Sequence, residues 1–388
     1  MPGSRQPYIV IPATSTLPTS DVLTDEEALT FRSELTTLKS RLEAPLPQGE
    51  EVRSAITALA YAVKCASTAQ FQRATAATEI SEEDARLALR STLTEEDDPE
   101  REEEFFVYDR YFGVIRSTEY GIRNLDDQLS VLIIRLLEDL GTAVLGVDEI
   151  AALVHAAEQM LHYCHTSGTG DISSPHEAES GDQLDGPMYR WMIGHQFFAV
   201  SSQFSRHFLI AAADGATNGE DPGEIGILIR TAEVFLRGTT AAMWYAANMS
   251  RQVYVDTIRP SMDAVWDGGF SGTQNLDYER MKRAREATLS RLTDRYGDSL
   301  RDWPTDVSSA LATYCETEVE DLEHHTLIAA SKVSREASLM QDAAHRWMQA
   351  EGTGSSAVPV AVDMLRSMAH ERRDSLRKFL SATSRGSE

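Results

Sequence analysis

The sequence predicts an all-α protein. Three observations predict it. Apolar residues recur at three- and four-residue steps along most of the chain. Hydroxyl residues precede acidic first turns, as at Thr24-Asp25-Glu26-Glu27 and Ser81-Glu82-Glu83-Asp84, where an N-cap and the helix dipole favour them. No alternating run shows a strand–helix–strand rhythm, and no glycine-rich phosphate loop follows a strand. A multi-helix bundle with little or no sheet is expected.

Taken in order, residues 1–20 are rich in Pro, Ser and Thr and read as a flexible N-terminal segment. Leu29, Phe31, Leu35, Leu38 and Leu42 give the first helical stripe, over 25–42. Similar stripes cover 52–66, 105–118, 125–145 and 149–162, so 21–165 forms an N-terminal helical region. The acidic run 96–104 reads as a solvated face. Residues 166–187, rich in Gly, Ser, Asp and Pro, read as a loop or linker. Helices are then expected over 188–213, 223–248 and 251–265. A glycine-rich break at 266–275 precedes helices over 276–296, 305–350 and 360–380. The region 188–388 can pack with 21–165 as one unit.

The chain has 388 residues and a formal net charge of −25. That balance opposes the phosphate backbone of nucleic acid and an anionic membrane surface. No run of about 18 apolar residues marks a membrane span, and no basic-then-apolar leader opens the sequence. Cys65, Cys164 and Cys315 include no CxxC pair and cannot build a disulfide framework. A reducing, cytoplasmic setting is expected.

Four segments carry candidate chemistry. His195 lies in the apolar run Trp191-Met192-Ile193-Gly194-His195-Gln196-Phe197-Phe198. A desolvated imidazole stays neutral and can exchange one hydrogen bond with a ligand, although a core histidine bonded to a carbonyl fits the spacing too. Arg259 precedes Phe270-Ser271-Gly272-Thr273, where an arginine can grip a carboxylate and a glycine turn can press on a flat ligand. An ordinary loop after a proline-broken helix is the alternative. His325 falls between Leu322 and Ile328 on a helical wheel, inward, while His324 turns away by roughly 100°. An inward imidazole suits an axial haem ligand, and a satisfied helix histidine suits the same pattern. Thr353-Gly354-Ser355, after Gly352, offers backbone N–H groups and hydroxyls to a carboxylate, or simply ends a helix. Glu320, Glu323, His324 and 158–162 lack the Glu-x-x-His pairs of a di-iron bundle.

In order, these segments resemble the tryptophan 2,3-dioxygenase superfamily of helical haem proteins. Ile193-Gly194-His195-Gln196 is similar to its distal histidine segment. The 269–274 turn is similar to its Gly-Phe-Gln-Ser loop, and 352–356 to its Gly-Thr-Gly loop. Tyr245 through Met262, with Arg259-Pro260, resembles more closely the pyrrolnitrin-biosynthesis branch that rearranges chlorotryptophan.

The resemblance implies a haem b oxygenase of specialised metabolism acting on an aromatic amino acid, tryptophan- or tyrosine-like, with O2. It implies His195, Ser271 and Thr273 as catalytic residues. Arg259, Phe270, Gly272, Thr353, Gly354 and Ser355 would bind substrate. The proximal position of the family aligns near Leu339, so His325 serves as the axial ligand only with an insertion, and His345 is the alternative. His195, Arg259, the 270–273 turn and 352–356 are expected to converge on one cavity. A homodimer is compatible with the chain. A non-haem di-iron oxygenase and a cofactor-free helical binding protein are the competing classes.

Overall fold

The computed structural model describes residues 9–12, 17, 33, 35–40, 56, 81–95, 97–118, 122–166, 186–266, 274–333, 366–368, 370–371 and 373–374. Helices dominate them, and the all-α class is what the structure shows. No helix among the described residues is long and apolar enough to cross a membrane. The chain divides into two compact units. The first comprises Met1–Val200 with Ala241–Asn248, the second Ser201–Thr240 with Met249–Glu388.

Among the described residues, the departure from an all-helical chain lies in the first unit. Strand β1 (Ile9–Pro12) pairs in parallel with β2 (Val114–Ser117), Ile9 opposite Val114. Both strands are short, and the parallel pair needs the long intervening crossover. Ile9, Val10 and Ile11 are buried, so this part of the segment expected to be flexible is a core strand. Its Val10 amide donates to Gln128 Oε1.

Helix α1 (Glu82–Thr92) starts on Ser81, whose hydroxyl accepts from the Asp84 amide. Helix α2 (Glu102–Phe112) ends at Gly113, φ 66°, the left-handed position that glycine adopts without a Cβ clash. The helix expected over 105–118 therefore stops at Phe112, and the chain turns directly into β2. Helices α3 (Ile122–Leu140) and α4 (Val147–Thr166) bury Leu129, Leu132, Leu136, Leu153, Ala157 and Met160.

Helix α5 (Gly186–Asn218) runs through both units. From Trp191 to Val200 every residue is buried, the signature of a helix enclosed on all sides. Gly194 explains part of that. A Cβ there would come within 2.6 Å of the Ala246 Cβ and 2.9 Å of the Ala242 carbonyl oxygen. Both lie near the end of α6 (Pro222–Ala246), so glycine lets two helix backbones approach.

In the second unit, Leu209, Ile225, Ile229, Leu236, Leu292, Trp303, Val307 and Leu311 form a continuous core. It draws on α5 and α6, and on α9 (Leu276–Tyr296) and α10 (Thr305–Lys332). Between α6 and α9, the helical run 251–263 is interrupted. Short α7 (Arg251–Val253) passes into a π-helical turn, Tyr254–Ile258, and then into α8 (Arg259–Asp263). Pro260 supplies the cause: it has no N–H for the Asp256 carbonyl, and its ring crowds that carbonyl.

Candidate functional site

His195 is buried and tightly framed. Its Nδ1 lies 2.7 Å from the Trp191 carbonyl oxygen. A carbonyl only accepts, so Nδ1 carries the proton, and in the neutral ring Nε2 presents its lone pair. The imidazole stacks on Phe112 with centroids 3.9 Å apart and planes 9° from parallel. The Trp191 ring stands 4.2 Å away. The next residue is anchored on the same partner, since Gln196 Nε2 donates to the Phe112 carbonyl at 2.8 Å. Phe112 thus orients both residues of the His-Gln pair. Sequence reasoning missed it, and the only local signal was an aromatic helix end followed by Gly113.

Five residues before His195, Arg190 grips Asp139 with two bonds of 2.6 and 3.1 Å, and Tyr245 donates to the same carboxylate at 3.0 Å. Arg190 also reaches the Asn248 carbonyl. Side chains from α3 and α6 therefore clamp the entry of α5 and fix the azimuth of His195. The carbonyl-bonded core reading accounts for Nδ1. A proton held on Nδ1 by a backbone carbonyl is also the arrangement that prepares Nε2 to serve an external ligand or a metal.

In the second unit, His325 lies on α10. Burial pulls its imidazole below the ordinary histidine value, and the Asp321 carboxylate one turn earlier opposes that pull. Asp321 is itself buried, accepting from Thr240 at 2.6 Å and from Tyr278 at 3.2 Å. A neutral imidazole with a nearby carboxylate is the donor chemistry an axial ligand needs, so His325 fits haem in protonation state.

Arg259 opens α8 at the end of the π turn, where its amide donates to the Tyr254 carbonyl. Burial raises the Tyr254 phenol, and the Arg259 cation works against that rise. The π turn thus sets an arginine beside a half-buried tyrosine.

The other candidates, Phe270, Ser271, Gly272, Thr273, His345, Thr353, Gly354 and Ser355, lie outside the described residues. His195 belongs to the first unit, Arg259 and His325 to the second. The di-iron candidates have other occupations. Glu320 is within 3.7 Å of Arg237, Glu323 pairs with Arg373, and Glu158 accepts from Thr36 and faces Lys39. Among the described residues no three His, Cys, Asp or Glu side chains gather as a metal-ion site.

Comparison with known proteins adds three findings. Residues 14–303 match the family model described as SfmD 3-methyl-L-tyrosine peroxygenase. That span includes His195, Arg259 and Phe270–Thr273, and it ends before α10. A 3-methyl-L-tyrosine peroxygenase of Streptomyces lavendulae is 28% identical over 195 residues, which cover 47% of this chain and 52% of that protein. The chain thus spans about half the length of the curated relative it matches. A crystal structure of reduced SfmD aligns over 81% of this chain and 97% of its own, at 18% identity and a TM-score of 0.45. The matched family is named for a tyrosine derivative rather than for the chlorotryptophan-rearranging branch.

Proposed function

The chain belongs to the SfmD 3-methyl-L-tyrosine peroxygenase family, and from that membership we propose that it is a haem-dependent peroxygenase acting on a tyrosine-like amino acid in the cytoplasm. The observation that carries the reading is the family match over residues 14–303, three quarters of the chain, with His195 inside it. The tyrosine-like alternative is preferred to the tryptophan-like one because the matched family and relative are both named for a methyltyrosine. The oxidant is then a peroxide rather than the O2 that the dioxygenase resemblance implies.

The cofactor, taken as haem b, would supply peroxide activation and delivery of one oxygen atom to the aromatic ring. His325 is assigned as its ligand through neutral imidazole, with His345 as the alternative. Asp321, held by Thr240 and Tyr278, keeps negative charge near His325 and favours an electron-rich imidazole. His195 holds its proton on Nδ1 against the Trp191 carbonyl, and its Nε2 is assigned to take the peroxide proton and return it. Stacking on Phe112 prevents the ring from turning. Arg259 takes the substrate carboxylate, with Tyr254 beside it. Phe270 and Gly272 receive the aromatic ring, and Ser271 and Thr273 offer hydroxyls to the reacting group. Thr353, Gly354 and Ser355 complete substrate binding.

Absorption spectra of the haem-loaded protein test the ligand assignment. The wild type is expected to show a Soret band. His325→Ala should weaken or shift it, and His324→Ala should leave it nearly unchanged. If His325→Ala keeps a normal spectrum while His345→Ala loses it, the ligand is His345. A wild type that takes up no haem overturns the reading.

A further inference from the structure

Within the first unit, α1, α2 and β2 line a half-open cavity of about 310 Å³ that contains none of the residues assigned to the reaction. Its floor carries a buried ion pair. Arg116 contacts Asp109 at 2.6 and 3.2 Å, and the two side chains are only 2% and 9% exposed. Its rim carries a second pair, Arg110 to Glu82 at 2.8 Å, with side chains 62% and 51% exposed. Leu89 and Phe106 supply wall between them, with the Arg86 guanidinium over one face of the Phe106 ring at 3.7 Å and within 3.6 Å of Glu82.

The charges decide the kind of ligand. Two carboxylates and two guanidiniums line one small space, so the lining has no net charge. An anion entering it meets Glu82 and Asp109, and a cation meets Arg110 and Arg116. A ligand that carries both charges on adjacent atoms complements both. The exposed rim pair is weak and opens at little cost, whereas the buried floor pair stays in place. The volume sits at the low end of small-molecule sites and suits an amino acid better than a nucleotide.

We propose that this cavity binds a free α-amino acid with an apolar or aromatic side chain, as its zwitterion. The carboxylate replaces Glu82 on Arg110, and the ammonium bridges Glu82 and Asp109. The side chain lies against Leu89 and Phe106. This binding needs no haem, and it stands or falls separately from the peroxygenase reading.

Titration calorimetry on the full, haem-free chain tests it, with L-phenylalanine, phenethylamine and 3-phenylpropionate as probes. One L-phenylalanine per chain is expected. Each analogue lacking one charge should bind about tenfold more weakly or worse, the loss of one charge-assisted contact. Arg110→Ala, on the exposed rim, should weaken L-phenylalanine by a similar factor with an unchanged circular dichroism spectrum. Asp109→Asn should do the same where it folds. No binding of L-phenylalanine overturns the proposal. So does equal binding of all three probes, or undiminished binding to Arg110→Ala, which would place the amino acid elsewhere.

Discussion

His195 shows how much a single position can be asked to do. Its proton is fixed by the Trp191 carbonyl and its plane by Phe112. A phenylalanine lacks the ring nitrogens, and its six-membered ring is larger than imidazole. His195→Phe should therefore cost about 1–3 kcal/mol in denaturant melts, as overpacking of a tight core does. Turnover should fall by about two to four orders of magnitude if Nε2 moves the peroxide proton. Equal loss of stability and turnover would make His195 a packing residue.

His207 gives a pH signature at the same scale. Burial lowers its pKa, and the Arg206 cation adds to the effect. Below the ordinary histidine value of about 6.5, the unfolded chain takes a proton that folded His207 refuses. Stability must then fall as pH drops through that value, and His207→Gln should flatten the slope. Burial likewise pushes the Cys315 thiol up to about 12 and raises Cys164 well above its usual value. With Cys65 replaced by Ser, a thiol reagent at neutral pH should label neither until denaturant is added. The apolar run made the burial of His195 legible in the sequence. Its partner Phe112 was not, because it lies 83 positions upstream and only the fold brings the two rings together.

At the scale of elements, the three-to-four periodicity located helices among the described residues, although the 105–118 stripe ends at Phe112. The 25–42, 52–66 and 360–380 stripes and the end of 305–350 lie largely outside those residues. The 276–296 stripe is helix α9 end to end, and the break at Pro260 was visible as a proline in a helical run. Its outcome was not visible, since a π turn satisfies the same backbone groups that a loop would leave to water. Pro260→Ala should restore an α register and rotate Arg259 away from its present face. Substrate KM is expected to rise while the melting temperature holds or increases. An unchanged KM would remove the π turn from substrate binding.

The strand Ile9–Pro12 escaped the sequence reading because four apolar residues are too short to show a period. Gly194 read as part of a motif, yet its space is set by the Ala242–Ala246 backbone. Gly194→Ala should cost about 1–3 kcal/mol through forced separation of α5 and α6, read as a lower unfolding midpoint.

For the whole molecule, composition and charge removed nucleic acid and anionic surfaces from consideration, and the order of weak motifs led to a haem oxygenase resemblance. The family match agrees with that class and names a peroxygenase of a tyrosine derivative. The aromatic amino-acid class was legible, but the oxidant and the exact substrate were not, because both depend on pocket detail that motif order does not encode. If the proposed activity holds, oxygen reaches a tyrosine-like ring from peroxide. Mass spectrometry of the product formed by the haem-loaded protein from 3-methyl-L-tyrosine and isotopically labelled hydrogen peroxide, under unlabelled air, tests it most directly. One labelled oxygen is expected in the hydroxylated product. Product carrying only unlabelled oxygen, or no product while haem is bound, would contradict it.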